Sequence, residues 1–318
     1  MRKGYGLPSV GPPQGVQAGK VPNPRSPPPL PATSSPVYKS PPGGGNRAPS
    51  QRGLGSGILG LRGGGLTGKR LPTIRVTEGE LPPYVLLPGD PTRAALIAGR
   101  LNSSEELAKN REFHSYRGTY RDVPVGVLST GVGAPGAAIA CEEAIRAGAR
   151  VLIRVGTAGS LQGEVKDGDL VVALGAARCE GTTPRLLPIE MPAMADPDVA
   201  LALWQAAKAQ GARVHRGTVV TMDAFYRGTL DLGLETFSQA GALAVEMECA
   251  AVFCVAALRG ARAGAILAID GNALKASTGE YNPHREEVRR AVELEIQIAL
   301  EALALSAGGE SGRNAFHR

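Results

Sequence analysis

The sequence predicts an α/β fold, a single domain with a mixed, largely parallel central sheet flanked by helices. Two observations carry the prediction. From residue 72 onward, short β-rich apolar runs alternate with stretches of helical period, the pattern of units in which helices cover the faces of a sheet. The chain is also long and apolar enough for one large domain, or two, with 318 residues, 43% hydrophobic and 20% charged.

Residues 1–70 come first and do not fit the pattern. They hold 16 Gly and 13 Pro. Such a stretch buries too little apolar surface to offset its ordering entropy, so a disordered basic tail is expected. Its ten charged residues are all Lys or Arg, whereas the remainder carries 25 basic and 29 acidic residues. The net charge of +6 therefore comes from the tail, and the rest of the chain gives no reason to expect nucleic-acid binding. A basic tail can adhere to anionic surfaces, but this one lacks the apolar stretch of a secretory signal. Residues 71–306 are expected to form the folded domain and 307–318 a flexible C-terminal tail.

Within the domain, strands are expected at Val85–Pro88, Val123–Ser129, Val151–Val155, Leu170–Gly175, Gly217–Thr221 and Gly264–Ile269. Helices are expected at Thr92–Arg100, Pro135–Ala147, Pro197–Gln210, Glu248–Arg259 and Arg285–Ala304. The last is the clearest, because Val288, Ala291, Val292, Ile296, Ala299, Leu300 and Leu303 fall on one stripe. No run of about 18 apolar residues is present, so no membrane span is expected. Cys141, Cys179, Cys249 and Cys254 have no metal-ligand spacing and stand among apolar or small residues. They read as reduced, buried thiols of a cytoplasmic protein.

Three segments carry chemistry. In Ala244-Val-Glu-Met-Glu-Cys-Ala250 two carboxylates, Glu246 and Glu248, lie one residue apart in an apolar run. Buried carboxylates need compensation. A hydroxyl-rich ligand such as a ribose would supply it, since an ionised carboxylate only accepts hydrogen bonds; helix-surface acids beside a core strand are the alternative. Val85-Leu-Leu-Pro-Gly-Asp-Pro-Thr-Arg93 runs a strand into a Gly-Asp-Pro turn followed by an arginine. Val151-Leu-Ile-Arg-Val-Gly-Thr-Ala-Gly159 runs a buried strand, with an arginine inside it, into a small-residue turn. Arginine in a core strand is expensive unless it meets an anion. Two arginines, two glycine turns with free backbone N–H groups and Thr157 would together make a phosphate site.

Gly131-Val-Gly-Ala-Pro-Gly136 matches the dinucleotide fingerprint G-x-G-x-x-G. Against that reading, the match lies in mid-chain, Pro135 starts the helix before the third glycine, and the next strand ends in Arg-Val-Gly-Thr rather than in a ribose-binding acid.

In this order, Leu-Leu-Pro-Gly-Asp-Pro-x-Arg, Arg-Val-Gly-Thr-Ala-Gly, Asp223-Ala-Phe-Tyr226 and Val-Glu-Met-Glu-Cys-Ala resemble the nucleoside phosphorylases of the purine and uridine phosphorylase superfamily. The resemblance spans roughly residues 72–305, and Leu187–Asp196 is most similar to uridine phosphorylases. It implies a nucleoside phosphorylase-like fold and phosphorolysis of a nucleoside to free base and ribose 1-phosphate. It further implies that Gly89, Arg93, Arg154 and Thr157 bind phosphate, and that Arg111 reaches across a subunit interface to a neighbour's phosphate. Met247 and Glu248 would hold the ribose, with Glu246 the less secure of the two acids. Phe225 would stack on the base beside the Gly131 turn, and Arg154 and Asp270 would serve catalysis. Asp270 either protonates a leaving purine or only orients its loop. The resemblance also implies self-association as a dimer or hexamer, with Arg111 completing the neighbour's site. Phosphate enters as co-substrate, and no metal or organic cofactor is implied.

The sequence departs from the family pattern at three places. Thr229 and Asp231 stand where uridine phosphorylases commonly carry a Gln and an Arg for the uracil edge, and Thr73 stands where a histidine reaches a neighbour's 5′-hydroxyl. The main reading is thus uridine phosphorylase-like, with a purine nucleoside phosphorylase as the alternative. A hydrolytic nucleosidase or a non-catalytic nucleoside-binding protein would have no need of the full phosphate set.

Overall fold

The structure is a computed structural model that describes residues 68–275 and 284–313, with side chains described as far as residue 308. The tail expected over 1–70 lies outside the described residues except for its last three, which join the fold: Arg70 bridges Thr77.

The chain order is β1 Tyr84–Pro88, α1 Pro91–Ala98, β2 Asn102–Asn110, β3 Phe113–Tyr120, β4 Val123–Leu128, α2 Ala134–Arg146, β5 Val151–Ser160, β6 Leu170–Cys179, β7 Ala193–Met194, α3 Pro197–Ala209, β8 Val214–Met222, α4 Leu234–Gln239, β9 Ala244–Glu246, α5 Cys249–Leu258, β10 Arg262–Asn272 and α6 Glu286–Arg313. The sheet is mixed. Parallel pairings join β4 to β1, β1 to β5 and β5 to β10, and also β6 to β8 and β8 to β9. Antiparallel pairings extend the sheet through β3 and β2. They also close β5 onto β9 and β10 onto β6, so β5, β9, β8, β6 and β10 form a ring.

Alternation along the strands divides the core between two faces. In β1, Val85 and Leu87 join one cluster, with residues of α2 and α5, while Leu86 joins the other, with residues of α1, α3 and α6. Successive strand side chains point to opposite faces, so a run buried on both faces reads as continuously apolar. The sequence of α5, Cys-Ala-Ala-Val-Phe-Cys-Val-Ala-Ala-Leu, is apolar all round and is correspondingly buried through Ala256.

Three expectations need correction, and one hairpin was unforeseen. The hairpin β2–β3 was not expected from the pattern: β2 reads Asn-Ser-Ser-Glu-Glu-Leu-Ala-Lys-Asn and lies at the sheet edge, mostly exposed, so it carries little apolar alternation. The glycine turn expected after Val155 is a strand, because β5 continues to Ser160, paired with β10 as far as Asn272 and with β9 at its end. The tail expected from residue 307 begins inside α6, which runs to Arg313. Cys179 is exposed, whereas Cys141, Cys249 and Cys254 are buried. Among the described residues no helix is long and apolar enough to cross a membrane, and no group of three or more His, Cys, Asp or Glu is placed to hold a metal ion.

Candidate active site

A cavity of about 1010 Å³ opens where β1, β5 and β10 end and where β9 passes into α5. Carboxyl ends of parallel strands are where open α/β sheets place ligands. Each lining residue is set there by its element.

At the end of β1, Asp90 caps α1 by accepting from the Thr92 backbone N–H at 2.7 Å, and Pro91 occupies the start of the helix. This places Arg93 in the first turn, facing the cavity beside Gly89. One terminal nitrogen of Arg93 donates to Glu295 Oε1 at 3.2 Å and approaches the Val155 carbonyl at 3.5 Å.

Arg154 comes from inside β5 and is buried. Its Nε donates to Glu246 Oε2 at 2.9 Å, and a terminal nitrogen meets Glu248 Oε2 at 2.5 Å. The guanidinium folds back over Gly156; a Cβ there would lie 2.8 Å from its central carbon, so only glycine leaves the room. Burial by itself lowers the pKa of Arg154, but the carboxylates of Glu248 and Glu246 outweigh it and leave the group raised.

Glu246 and Glu248 differ in what surrounds them. Glu246 accepts from the Thr221 hydroxyl at 2.6 Å, from the Glu248 backbone N–H at 2.8 Å and from the Cys249 backbone N–H at 2.9 Å, besides Arg154. Its compensation comes from the protein, not from a ligand, and it locks the β9–α5 junction. Glu248 is held at Oε1 by the Gly133 backbone N–H at 2.6 Å and at Oε2 by Arg154. Burial raises its pKa above the ordinary carboxylate value, with the Arg154 charge opposing the rise. The Gly131–Gly136 turn therefore presents its backbone to a carboxylate of its own chain, where the dinucleotide reading would place a pyrophosphate.

Asp270 stands between Ile269 and Gly271, where the register of β10 against β5 shifts. A bulge re-aims the side chain it carries, and Asp270 is buried and lines the cavity. Thr157 and Met247 also line it, as does Gly131, which adopts φ +71°.

The opposite wall is the loop after β8. Phe225 is 56% exposed, Tyr226 is 84% exposed, and their rings meet edge to face with centroids 5.0 Å apart. Arg227 lines the cavity with them, but neither Thr229 nor Asp231 is among the lining residues. Asp223 accepts from the Gly181 backbone N–H at 2.8 Å and ties the start of this loop to the end of β6.

Every sequence-selected residue except Arg111 thus lines one cavity. Arg111 is exposed in the two-residue turn of β2–β3, at φ +55°, while its neighbour Glu112 lines the cavity. Thr73 does not line it; its backbone N–H donates to Glu143 at 3.0 Å. Sequence reading missed Thr221, Gly133, Arg227 and Glu295. The signal for Glu295 was present, since it falls on the stripe of α6 one turn from Ala291 and Ala299, at a position where an apolar residue is the rule.

Residues 83–304 match the family described as the phosphorylase superfamily. A guanosine phosphorylase of Halorubrum lacusprofundi is 39% identical over 235 residues, which are 73% of this chain and 97% of that protein. A uridine phosphorylase of Treponema pallidum is 37% identical over 240 residues, 72% of this chain and 92% of the relative. The crystal structure of a purine nucleoside phosphorylase from Toxoplasma gondii, in complex with immucillin-H, superposes with a TM-score of 0.71 at 36% identity, covering 74% of this chain and 96% of that one.

Proposed function

The chain belongs to the phosphorylase superfamily, and from that premise we propose that it cleaves a nucleoside with inorganic phosphate, giving free base and ribose 1-phosphate. The observation that carries the proposal is the convergence of Arg93, Arg154 and Thr157 with Glu248 and Met247 in one cavity: cations for an anion stand beside a carboxylate for a sugar.

In this reading Gly89, Arg93, Arg154 and Thr157 hold phosphate. Arg154 spends Nε and one terminal nitrogen on Glu246 and Glu248, so its other terminal nitrogen faces a phosphate oxygen. Glu248 accepts the ribose 2′- and 3′-hydroxyls, Met247 packs on the sugar, and Glu246 acts through Arg154 and the α5 N-terminus rather than by touching ribose. A phosphate oxygen forms the new bond to C1′ as the C1′–N bond breaks, and the bonding electrons leave with the base. The transition state carries positive charge on the sugar, which the phosphate and Glu248 stabilise. Phe225 stacks on the base beside Gly131. No step calls for a metal or organic cofactor.

The relatives named for uridine and the stretch Leu187–Asp196 support a pyrimidine substrate. A second reading, a purine nucleoside, is favoured by Asp270: it lines the cavity at a bulge, where a carboxylic acid can give its proton to N7 of the departing base. The relative named for guanosine supports it as well. Arg111, exposed on its hairpin and outside its own cavity, would complete the phosphate site of a neighbouring copy, which makes the active unit a dimer or a hexamer assembled from dimers. A cytoplasmic location accords with the buried thiols. Base release from uridine, inosine, guanosine and adenosine, each with and without phosphate, tests the proposal. Phosphate-dependent release from any of them supports it and assigns the base; release that ignores phosphate overturns it in favour of a hydrolase.

A further inference from the structure

Glu295 is the least expected group near the cavity. It sits on α6, which packs against β5 and β10, and it is fully buried. Oε1 accepts from Arg93 at 3.2 Å, and Oε2 has no hydrogen-bond partner among the described residues. A buried carboxylate with one oxygen unserved is costly as an anion. As an acid it would carry its proton on Oε2 and still accept from Arg93 through Oε1. The charges that face it are Arg93 from α1, Arg154 from β5 and Asp270 from β10; on its own helix, Glu293 is turned to Arg289. Burial, opposed by the two arginines and by the Ala268 backbone N–H and helped by Asp270, pushes its pKa up to about 8.

We propose that Glu295 is a positioning residue of the phosphate site, which steers the Arg93 guanidinium toward the anion and does so as an uncharged acid. The inference rests on the phosphate reading of Arg93. As an anion, Glu295 would neutralise Arg93 and add a negative charge behind the site that takes phosphate. As a neutral acid it leaves the full charge of Arg93 to the phosphate while still orienting one terminal nitrogen. Phosphate affinity should then weaken as pH rises through the Glu295 transition, opposite to the change caused by titration of phosphate itself if the dianion is the bound form.

The test is calorimetric titration of inorganic phosphate into the full chain between pH 6.5 and pH 9.5 (roughly one and a half units either side of the raised value). Phosphate KM at saturating nucleoside is followed alongside. If only the neutral form of Glu295 binds, its titration alone should cost the wild type about tenfold in affinity for the phosphate dianion between pH 7 and pH 9. Glu295→Gln, permanently neutral and able to accept from Arg93, should remove that loss. Glu295→Leu should weaken phosphate binding at every pH, and should move phosphate KM more than nucleoside KM. Glu301→Gln, on the same helix and bonded to Tyr120 and Arg121, is the structural control and should follow the wild type. An alkaline limb unchanged in Glu295→Gln, or a phosphate affinity unchanged in Glu295→Leu, overturns the inference. Phosphate binding with this pH dependence in a protein that cleaves no nucleoside would sink the phosphorylase reading and leave the role of Glu295 standing.

Discussion

The two ends of the cavity are built differently. The end proposed to take phosphate and ribose stands on strands and helix starts: Arg93 in the first turn of α1, Arg154 inside β5, and Glu246 and Glu248 at the β9–α5 junction, each buried or nearly so and locked by named partners. The end proposed for the base is a loop whose aromatic side chains are largely exposed and whose tether is Asp223 to the Gly181 backbone. On the proposed function, the ribose and the phosphate co-substrate are the same for every nucleoside cleaved and the base is not, so the shared chemistry falls on strands and helix starts and the variable chemistry on a loop that tolerates change.

If the comparison holds, damage should fall off from the first end to the second. Arg154→Met is the most severe, because it strands Glu246 and Glu248 as buried, unpaired carboxylates. Breaking such a pair costs about 3–5 kcal/mol, so thermal denaturation should show a large drop in midpoint together with loss of turnover. A stable but inactive variant would mean that the pair serves only chemistry. Glu248→Gln comes next. Hydrogen bonds to a charged group contribute about 1.5–3 kcal/mol, so kcat/KM for the nucleoside should fall roughly ten- to hundredfold, and phosphate KM should move less.

The same residue predicts a pH response. The pKa of Glu248 is raised by burial, so its carboxylate form is lost earlier on acidification than that of an ordinary glutamate. Nucleoside KM should rise as pH falls through that transition, and Glu248→Gln should abolish the acid limb. An acid limb that persists in the variant assigns it to another group.

At the loop end the effects shrink. Phe225→Ala removes a stacking platform worth about 1–3 kcal/mol per base in the best cases, and with more than half of its surface exposed the lower figure is expected, roughly fivefold to tenfold in nucleoside kcat/KM. Melting temperature should not move. Thr229→Ala, exposed and outside the cavity, should fall within about 0.5 kcal/mol of the wild type in both stability and kcat/KM. A large loss of uridine turnover in that variant would show that the loop brings Thr229 onto the base, and would erase the contrast between the two ends.

Much of the fold was legible because its signals are local. The apolar runs of β1 and β5 and the stripe of α6 each need only a few neighbours in sequence. Edge strand β2 was not legible, since an exposed strand has no face to bury and its charged residues carry no period. The continuation of β5 through Gly156 and Gly159 was read as a turn from composition; pairing to β10 decides otherwise.

For the site, the sequence by itself determined which side chains are too polar for their surroundings: Arg154 in a core strand, two acids in an apolar run, and Arg93 after a Gly-Asp-Pro turn. Burial cost is a property of the residue and its immediate neighbours, so it can be read without coordinates. Only the tertiary structure decided who compensates whom. Arg154 and Glu246 are 92 residues apart in sequence, and Arg93 and Glu295 are 202 apart. Hydrogen bonds and ion pairs act over a few ångströms, and no local pattern records which distant segment the packing brings within that reach.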